Sequence, residues 1–220
     1  TAIENIVETG ATSDGTPLAP EVVSYFEQTL DYFEIIDAEL RRVKIPSVTR
    51  EMTDSLSIDL GGREVQLRHF GYGNTKGDVV MYLPGEKILA TGDVMVFPTP
   101  YGFGSYPRSW AGVLRKLKSL EATTIVPGHG DIQSDFAYGD LLIETLELVA
   151  NQVDVLAAEG KTLEEVRESM DFSSVEHRFT HGDELLKSRF RVWFKTPIVE
   201  AAYRLASGKD NEPLEASAEE

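Results

Sequence analysis

The stretch that decides the fold is Gly71-Tyr-Gly-Asn-Thr-Lys-Gly-Asp78, a glycine-rich turn between two runs of alternating apolar residues. Two shorter motifs follow it, Gly92-Asp93 and Pro127-Gly-His-Gly130. Asp93 comes directly after an apolar run, at a predicted strand's carboxyl end, where side chains project into a crevice. His129 stands between two glycines after a second such run, which indicates an exposed turn at a strand end rather than a core position.

Alternating apolar and polar residues predict two β-hairpins and one further strand around these motifs. Gly61-Gly62 supplies the tight turn of the first hairpin, and Pro84-Gly85-Glu86 the turn of the second. The five strands are expected at 55–60, 64–69, 79–83, 87–90 and 123–126.

Apolar residues at steps of three and four predict helices before, between and after the strands. The first starts at Pro20 and ends near Arg42, ahead of a break at Ile45-Pro46. Its expected apolar face carries Val23, Phe26, Leu30, Phe33, Ile36 and Leu40.

Later helices are predicted at about 107–120, over the shared face of Leu142–Leu156, after a capping box at Thr162 and Glu165, and up to Ala206. Pro197 lies at the start or at a kink of the last helix, and Gly208 ends it. The expected divisions are an N-terminal segment with its helix, a core, C-terminal helices of the same domain and an acidic tail, at 1–43, 44–130, 131–208 and 209–220.

Composition narrows the possible partners and metal ligands. The chain of 220 residues has 21 basic and 37 acidic residues, a formal net charge of −16, so nucleic acid and anionic membranes are not expected partners. Cysteine is absent, which excludes disulfides and thiolate ligands. The apolar runs are too short to span a bilayer. Because the chain begins at Thr1, we expect its native N-terminus not to be present, and the sequence leaves localisation open.

The three motifs resemble those of the second half of the metallo-β-lactamase superfamily, in that family's order and spacing, from about Lys44 to Gly130. The resemblance implies an α/β fold, an αββα sandwich with a mixed sheet and flanking helices, truncated here at the N-terminal half. Thr1–Val7 resembles the stretch that follows the family's first metal motif. In that family two zinc ions polarise a carbonyl group and hold the hydroxide that attacks it.

The resemblance also implies roles for individual residues. Asp93 occupies the position of the bridging zinc ligand, and His129 that of a ligand to the second metal. Asn74 stands where the family has a histidine, and a neutral amide is a poor zinc ligand. Thr75 and Asp78 occupy positions that brace the turn. The family's first motif, His-x-His-x-Asp-His, does not occur in these 220 residues, so we expect zinc to bind weakly or not at all.

The remaining histidines are interpreted as structural or solvated. His69 shares the apolar face of the first hairpin with Val65 and Leu67, which is typical of a core or rim histidine. His177 and His181 stand four residues apart, but no third ligand follows at zinc-like spacing. We expect both to be solvated near a helix end.

Three functions remain open on the sequence. The chain is a hydrolase-like domain that is non-catalytic alone, or part of an active zinc-dependent hydrolase whose first metal motif lies in a missing or separate segment, or a module that binds a small ligand or a protein. Without the first half of the fold, apolar faces such as that of Leu56, Ile58 and Leu60 lack a cover. We therefore expect self-association or a complementary N-terminal segment, unless residues 1–42 fold back over the gap.

Overall fold

The computed structural model describes residues 2–12, 15–44 and 46–209. Three features of the sequence analysis lie outside these residues: Thr1, Ile45 of the predicted helix break, and the acidic tail beyond Lys209. None of the described helices combines the length and the apolar character needed to cross a bilayer.

A five-stranded mixed sheet forms the centre of the fold, as the sequence predicts. Its strands lie side by side in chain order, with three antiparallel pairs followed by one parallel pair between the last two strands. They are β1 (Ser55–Asp59), β2 (Glu64–Arg68), β3 (Val80–Leu83), β4 (Ile88–Val96) and β5 (Thr124–His129).

The described part of the chain also contains eight α-helices and one π-helical turn. The helices are α1 (Ala2–Thr9), α2 (Pro20–Leu40), α3 (Pro107–Lys118), α4 (Ala137–Ala158), α5 (Leu163–Ser169), α6 (Ser173–Thr180), α7 (Glu184–Arg189) and α8 (Thr196–Ala206), and the π-helical turn is Phe190–Lys195. The predicted capping box opens α5, and the last helix begins as expected beside Pro197.

The crossover helix α3 links the two parallel strands and packs on the sheet. A parallel pair needs such a crossover, because a tight turn can only reverse the chain. Trp110, Leu114 and Leu117 on α3 are buried. The indole Nε1 of Trp110 also donates a hydrogen bond to the Val94 carbonyl oxygen, at 3.0 Å. This bond joins α3 to β4 close to the carboxyl end of the sheet.

The two faces of the sheet differ in what covers them. On the helix-covered face Val80, Tyr82, Leu89 and Ile125 are all buried. At its regularly paired positions the strand register places ten side chains on the opposite face, all apolar except Thr124, and of these only Val65 is buried. We call the nine apolar side chains the apolar sheet face: Leu56, Ile58, Val65, Leu67, Met81, Leu83, Ile88, Ala90 and Val126. The described residues thus contain one sheet of the expected sandwich.

Helix α2 differs from the prediction. It ends at Leu40 rather than near Arg42, and Ile36 and Leu40 of its expected apolar face are 44% and 62% exposed. The side chain of Phe33, also expected on that face, lies outside the described residues. The helix is anchored at its start, where Val22 is buried and the Ala19 amide donates to Ser188 Oγ at 3.1 Å.

Helix α2 packs mainly on α1 and α7. Arg191, two residues after the end of α7, adds a hydrogen bond to the segment before α2. Arg191 donates a hydrogen bond from Nη2 to the Pro17 carbonyl oxygen at 2.6 Å. The N-terminal segment is therefore attached to the C-terminal helices at residues 17–22, around the start of α2.

Strand boundaries at the metal-motif end were predicted too short. β4 continues from Ala90 to Val96, and β5 continues past Pro127 to His129. The parallel pairing persists through two register shifts in this region, so glycine and proline bend these strands without ending them. At the start of β3, Val79 lies outside the strand and is 42% exposed.

Candidate functional site

Two side chains that the sequence analysis identified as candidate metal ligands, Asp93 and His129, lie close together at the carboxyl ends of β4 and β5. Asp93 follows the first register shift of β4, and His129 is the last residue of β5. The His129 Nε2 and Asp93 Oδ1 atoms are 3.5 Å apart. Their side chains are 56% and 48% exposed, so a ligand can reach both from solvent.

The glycines beside His129 make this close approach possible. A Cβ atom at Gly128 would overlap the Asp93 carboxylate and come within 2.7 Å of the Gly92 carbonyl carbon. Gly130 has φ +86°, and a Cβ there would overlap the carbonyl oxygen of Phe97. Only residues without a side chain permit this packing, so the glycines position Asp93 against the turn that carries His129.

The loop at residues 71–78 contacts the site through the side chain of Asn74, which binds the backbone of Asp93. Asn74 is buried, and its Nδ2 donates a hydrogen bond to the Asp93 carbonyl oxygen at 3.1 Å. Thr75 donates to the Asp78 carboxylate from its amide at 3.1 Å and from Oγ1 at 2.5 Å. His69 Nδ1 lies 2.8 Å from the Asp78 carbonyl oxygen. The amide of Asn74 thus links the loop at residues 71–78 to β4.

A row of aromatic side chains lies next to His129, and the sequence did not predict it. The Tyr101 ring lies 5.4 Å from the His129 ring, and Trp193 packs edge-on to Tyr101 at 5.6 Å, measured between ring centroids. Tyr25 of α2 contacts Trp193 at 6.3 Å, and the Arg189 guanidinium lies 5.3 Å from the centre of the Trp193 ring. We call these four residues with His129 the aromatic row.

One sequence signal for the aromatic row exists in the loop that follows β4. The loop Phe97–Tyr106 alternates aromatic residues with proline and glycine, a composition typical of a rigid exposed loop. Trp193 and Tyr25 are far away in sequence, and no periodicity connects them to that loop. The packing of α2 on α7 brings Tyr25 to the site, and the contact of the π-helical turn with the Gly102 amide brings Trp193 there.

Tyr101 has a raised pKa, chiefly because it is partly buried and secondly because of the charges around it. Burial raises the pKa of the Tyr101 hydroxyl, and the charge of Asp93 raises it further, whereas Arg189 lowers it. The ring therefore lies within the fields of both Asp93 and Arg189. The phenol stays protonated at neutral pH and can donate a hydrogen bond.

The other two histidines lie on α6 and its C-terminal end. His177 and His181 are both exposed, and His181 is the C-terminal cap with φ +48°. Across the described residues, no group of three or more histidine, aspartate or glutamate side chains is arranged to hold a metal ion.

A family model for the metallo-beta-lactamase superfamily matches residues 7–129. The chain belongs to the metallo-β-lactamase superfamily. A curated relative, the metallo-beta-lactamase type 2 of Bacteroides fragilis, is 31% identical over 114 residues, which are 49% of this chain and 44% of the relative. The chain thus spans less than half the length of that relative.

Two solved structures are similar to this chain over part of its length. The stereoselective inverting sec-alkylsulfatase Pisa1 from Pseudomonas sp. superposes with a TM-score of 0.57 at 16% identity, over 76% of this chain and 27% of the sulfatase. A metallo-beta-lactamase from Pontibacter korlensis is 25% identical with a TM-score of 0.41, over 51% of this chain and 54% of that protein.

Members of the superfamily typically bind zinc, and the donor atoms described here meet this requirement in part. A tetrahedral zinc ion holds neighbouring nitrogen and oxygen ligands about 3.4 Å apart. The 3.5 Å between His129 Nε2 and Asp93 Oδ1 matches that spacing. A protein zinc site takes three or four ligands, however, and no group of three or more such side chains is found in the described part of the chain. The ligand set is therefore incomplete within the described residues.

Proposed function

We propose that this chain carries the Asp93–His129 part of a zinc-dependent hydrolase centre and does not hydrolyse substrates on its own. The spacing of the two donor atoms supports this proposal. Their 3.5 Å separation is suited to ligands of one ion, and the overlap that a side chain at Gly128 would cause restricts Asp93 to this place.

The charges around Asp93 and His129 favour the binding of a cation between them. The Asp93 carboxylate is half-exposed in a chain with a formal net charge of −16, and this field attracts cations. Two ligands leave zinc exchanging freely with water, so we expect partial occupancy at micromolar zinc. Without the ligands of the first metal, the chain holds no fixed metal-bound nucleophile.

The test is zinc binding by equilibrium dialysis, with metal content measured by elemental analysis. We expect weak, substoichiometric binding by the native chain and its loss in both Asp93→Ala and His129→Ala. His177→Ala is the matched control, an exposed histidine on α6 whose removal leaves binding unchanged.

Two results would overturn the proposal. Two tightly held zinc ions per native chain would mean that other residues complete the centre. Zinc binding that survives both the Asp93 and the His129 substitution would place the metal elsewhere.

A second candidate, completion of the centre by another polypeptide segment, is supported by the apolar sheet face. That face is apolar at nine of its ten paired positions, yet only Val65 is buried, and the chain spans less than half of its curated relative. We propose that a complementary N-terminal segment, or a second copy of the chain, covers this face. Active hydrolysis would then require the complex.

A further inference from the structure

We propose that the aromatic row binds a flat aromatic carboxylate, with Arg189 receiving the carboxylate and Trp193 and Tyr101 contacting the ring. Binding at this row does not require zinc. Its interpretation as the substrate-recognition part of the centre rests on the function proposed above.

The rings of the row lie at contact distance from one another, and the Arg189 guanidinium lies at a similar distance from the Trp193 ring. The steps are 5.3 Å from Arg189 to Trp193, 5.6 Å from Trp193 to Tyr101 and 5.4 Å from Tyr101 to His129. Aromatic pairs prefer centroid distances of about 4.5–7 Å, so the geometry is that of real ring contacts. The row leads from a guanidinium group to the Asp93–His129 pair in a continuous path.

The charges at the two ends orient a ligand. Asp93 is negative at one end, and Arg189 is positive at the other. Arg189 forms no ion pair with any residue in the described part of the chain, and its guanidinium lies over the Trp193 ring. A carboxylate is attracted to Arg189 and repelled from Asp93, so the opposite end of the molecule points toward Asp93 and His129.

The row is accessible and held in place. Tyr25 is 53% exposed, while Trp193 and Tyr101 are half-buried. The Gly102 amide donates to the Trp193 carbonyl oxygen at 2.7 Å, and a Cβ at Gly102 would come within 2.9 Å of Ile198. The loop is thus fixed against the π-helical turn, and a ligand pays little for ordering it.

The alternative explanation is that these rings only seal the edge of the core. Rings that merely fill space contribute through their buried area alone, and they show no preference for a ligand charge. Charge preference and its dependence on Arg189 therefore separate the two explanations.

The experiment measures binding of three probes with the same ring, by calorimetry and saturation-transfer NMR in zinc-free buffer. The probes are 2-naphthoxyacetate, the neutral 2-naphthoxyethanol and the cationic 2-(2-naphthoxy)ethylamine. We expect the carboxylate to bind about three- to fivefold more tightly than the alcohol, the range of an exposed ion pair. The amine is expected to bind more weakly than either.

The variants assign the effect to residues. Arg189→Gln should abolish the preference for the carboxylate while the naphthyl ring still binds. Trp193→Leu should weaken all three probes, and Tyr25→Leu, a change at a largely exposed position, should weaken them to a smaller extent. Tyr32→Leu is the matched control, because Tyr32 lies two turns along the same helix and is 59% exposed.

Equal binding of the three probes by the native chain would overturn the proposal, as would affinities for the probes that are unchanged from the native chain in both Trp193→Leu and Tyr25→Leu. The zinc experiment fails or succeeds separately, since it depends on Asp93 and His129 and uses no organic ligand. Probe binding by Asp93→Ala, a variant expected to lose zinc while it keeps Arg189, Trp193 and Tyr101, would support the row as a recognition element separate from the metal.

Discussion

At the scale of single residues, Gly128 determines how closely β5 approaches Asp93. Its missing Cβ leaves room for the carboxylate and for the Gly92 backbone. The backbone cannot give way here, because β4 and β5 are paired on both sides of the contact.

Gly128→Ala is therefore expected to displace the Asp93 side chain, to weaken zinc binding and to destabilise the chain by about 1–3 kcal/mol through overpacking. Gly112→Ala is the control, because Gly112 lies within α3 with nothing within 4 Å of its added Cβ. That change should stabilise the chain by about 0.5–1 kcal/mol. Urea unfolding of both variants checks the prediction, and equal stabilities would contradict it.

Asn74 is a second residue at which the identity of one side-chain atom, Nδ2, is expected to affect the stability of the fold. Its Nδ2 donates to the Asp93 carbonyl oxygen in a buried position, so Asn74→Asp would place two acceptors against each other. We expect a loss of about 1–3 kcal/mol in the free energy of unfolding.

The control for this change is Asn151→Asp. Asn151 is exposed, and its Oδ1 accepts from the Arg108 guanidinium, an interaction that a carboxylate retains. Chemical denaturation should leave this variant within about 0.5 kcal/mol of the native chain. An Asn74→Asp variant as stable as its control would show that the buried hydrogen bond contributes nothing.

At the scale of elements, the capping box of α5 makes part of the stability depend on pH. The Thr162 amide donates to the Glu165 carboxylate at 2.8 Å, and this hydrogen bond lowers the pKa of Glu165 below its usual 4.5. A lowered pKa in the folded state means that the contribution is present above the ordinary value and is lost as the pH falls through the folded value.

Glu165→Gln should therefore reduce the acid sensitivity of unfolding below about pH 4.5, and Thr162→Ala should cost about 0.5–2 kcal/mol at neutral pH. Glu164→Gln, a neighbouring acidic residue in the same first turn, serves as the control. The measurement is the free energy of unfolding between pH 3 and 7, a range of about four units around the ordinary carboxyl value. Identical pH profiles for the Glu165 and Glu164 variants would contradict the assignment.

Local patterns allowed most elements to be predicted, and long-range packing explains the differences. Strict alternation defined β1 and β2, and Thr162 with Glu165 defined the start of α5, because these signals depend only on near neighbours. The extension of β4 to Val96 depends on its partner β5, and the exposure of Ile36 depends on where α2 attaches. Neither can be inferred from a periodic pattern.

The same distinction applies to the site. Asp93 and His129 were identified by motif, and the structure places them together. Tyr25, Tyr101 and Trp193 belong to three segments whose meeting depends on the docking of α2 and of the π-helical turn. Their roles as ligands or binding residues stay predictions.

At the scale of the whole molecule, the apolar sheet face and the acidic net charge oppose each other. An uncovered apolar face favours association, whereas a formal net charge of −16 resists it. Salt screens the repulsion but leaves apolar contact intact. We therefore expect a dimer whose formation strengthens as salt is added.

Ile58→Lys should weaken this association, because a charge in the middle of the apolar sheet face must lose its hydration on contact. Ser57→Lys is the control, since the adjacent residue on the same strand points to the opposite face. Light scattering across a dilution series, at low and high salt, measures the effect. A native chain that stays monomeric at high concentration and melts cooperatively would contradict association.

The order of the five strands has a consequence for how the chain folds. Each strand pairs with the strand that precedes it, so the sheet grows by adding neighbours along the chain. Topologies dominated by such local pairing fold quickly, since few long loops must close before contacts form. The slowest pairing is expected between β4 and β5, across the α3 crossover. We therefore expect the sheet that carries Asp93 to form before any segment covers the apolar sheet face. Such a segment would then bind to a sheet that is already folded.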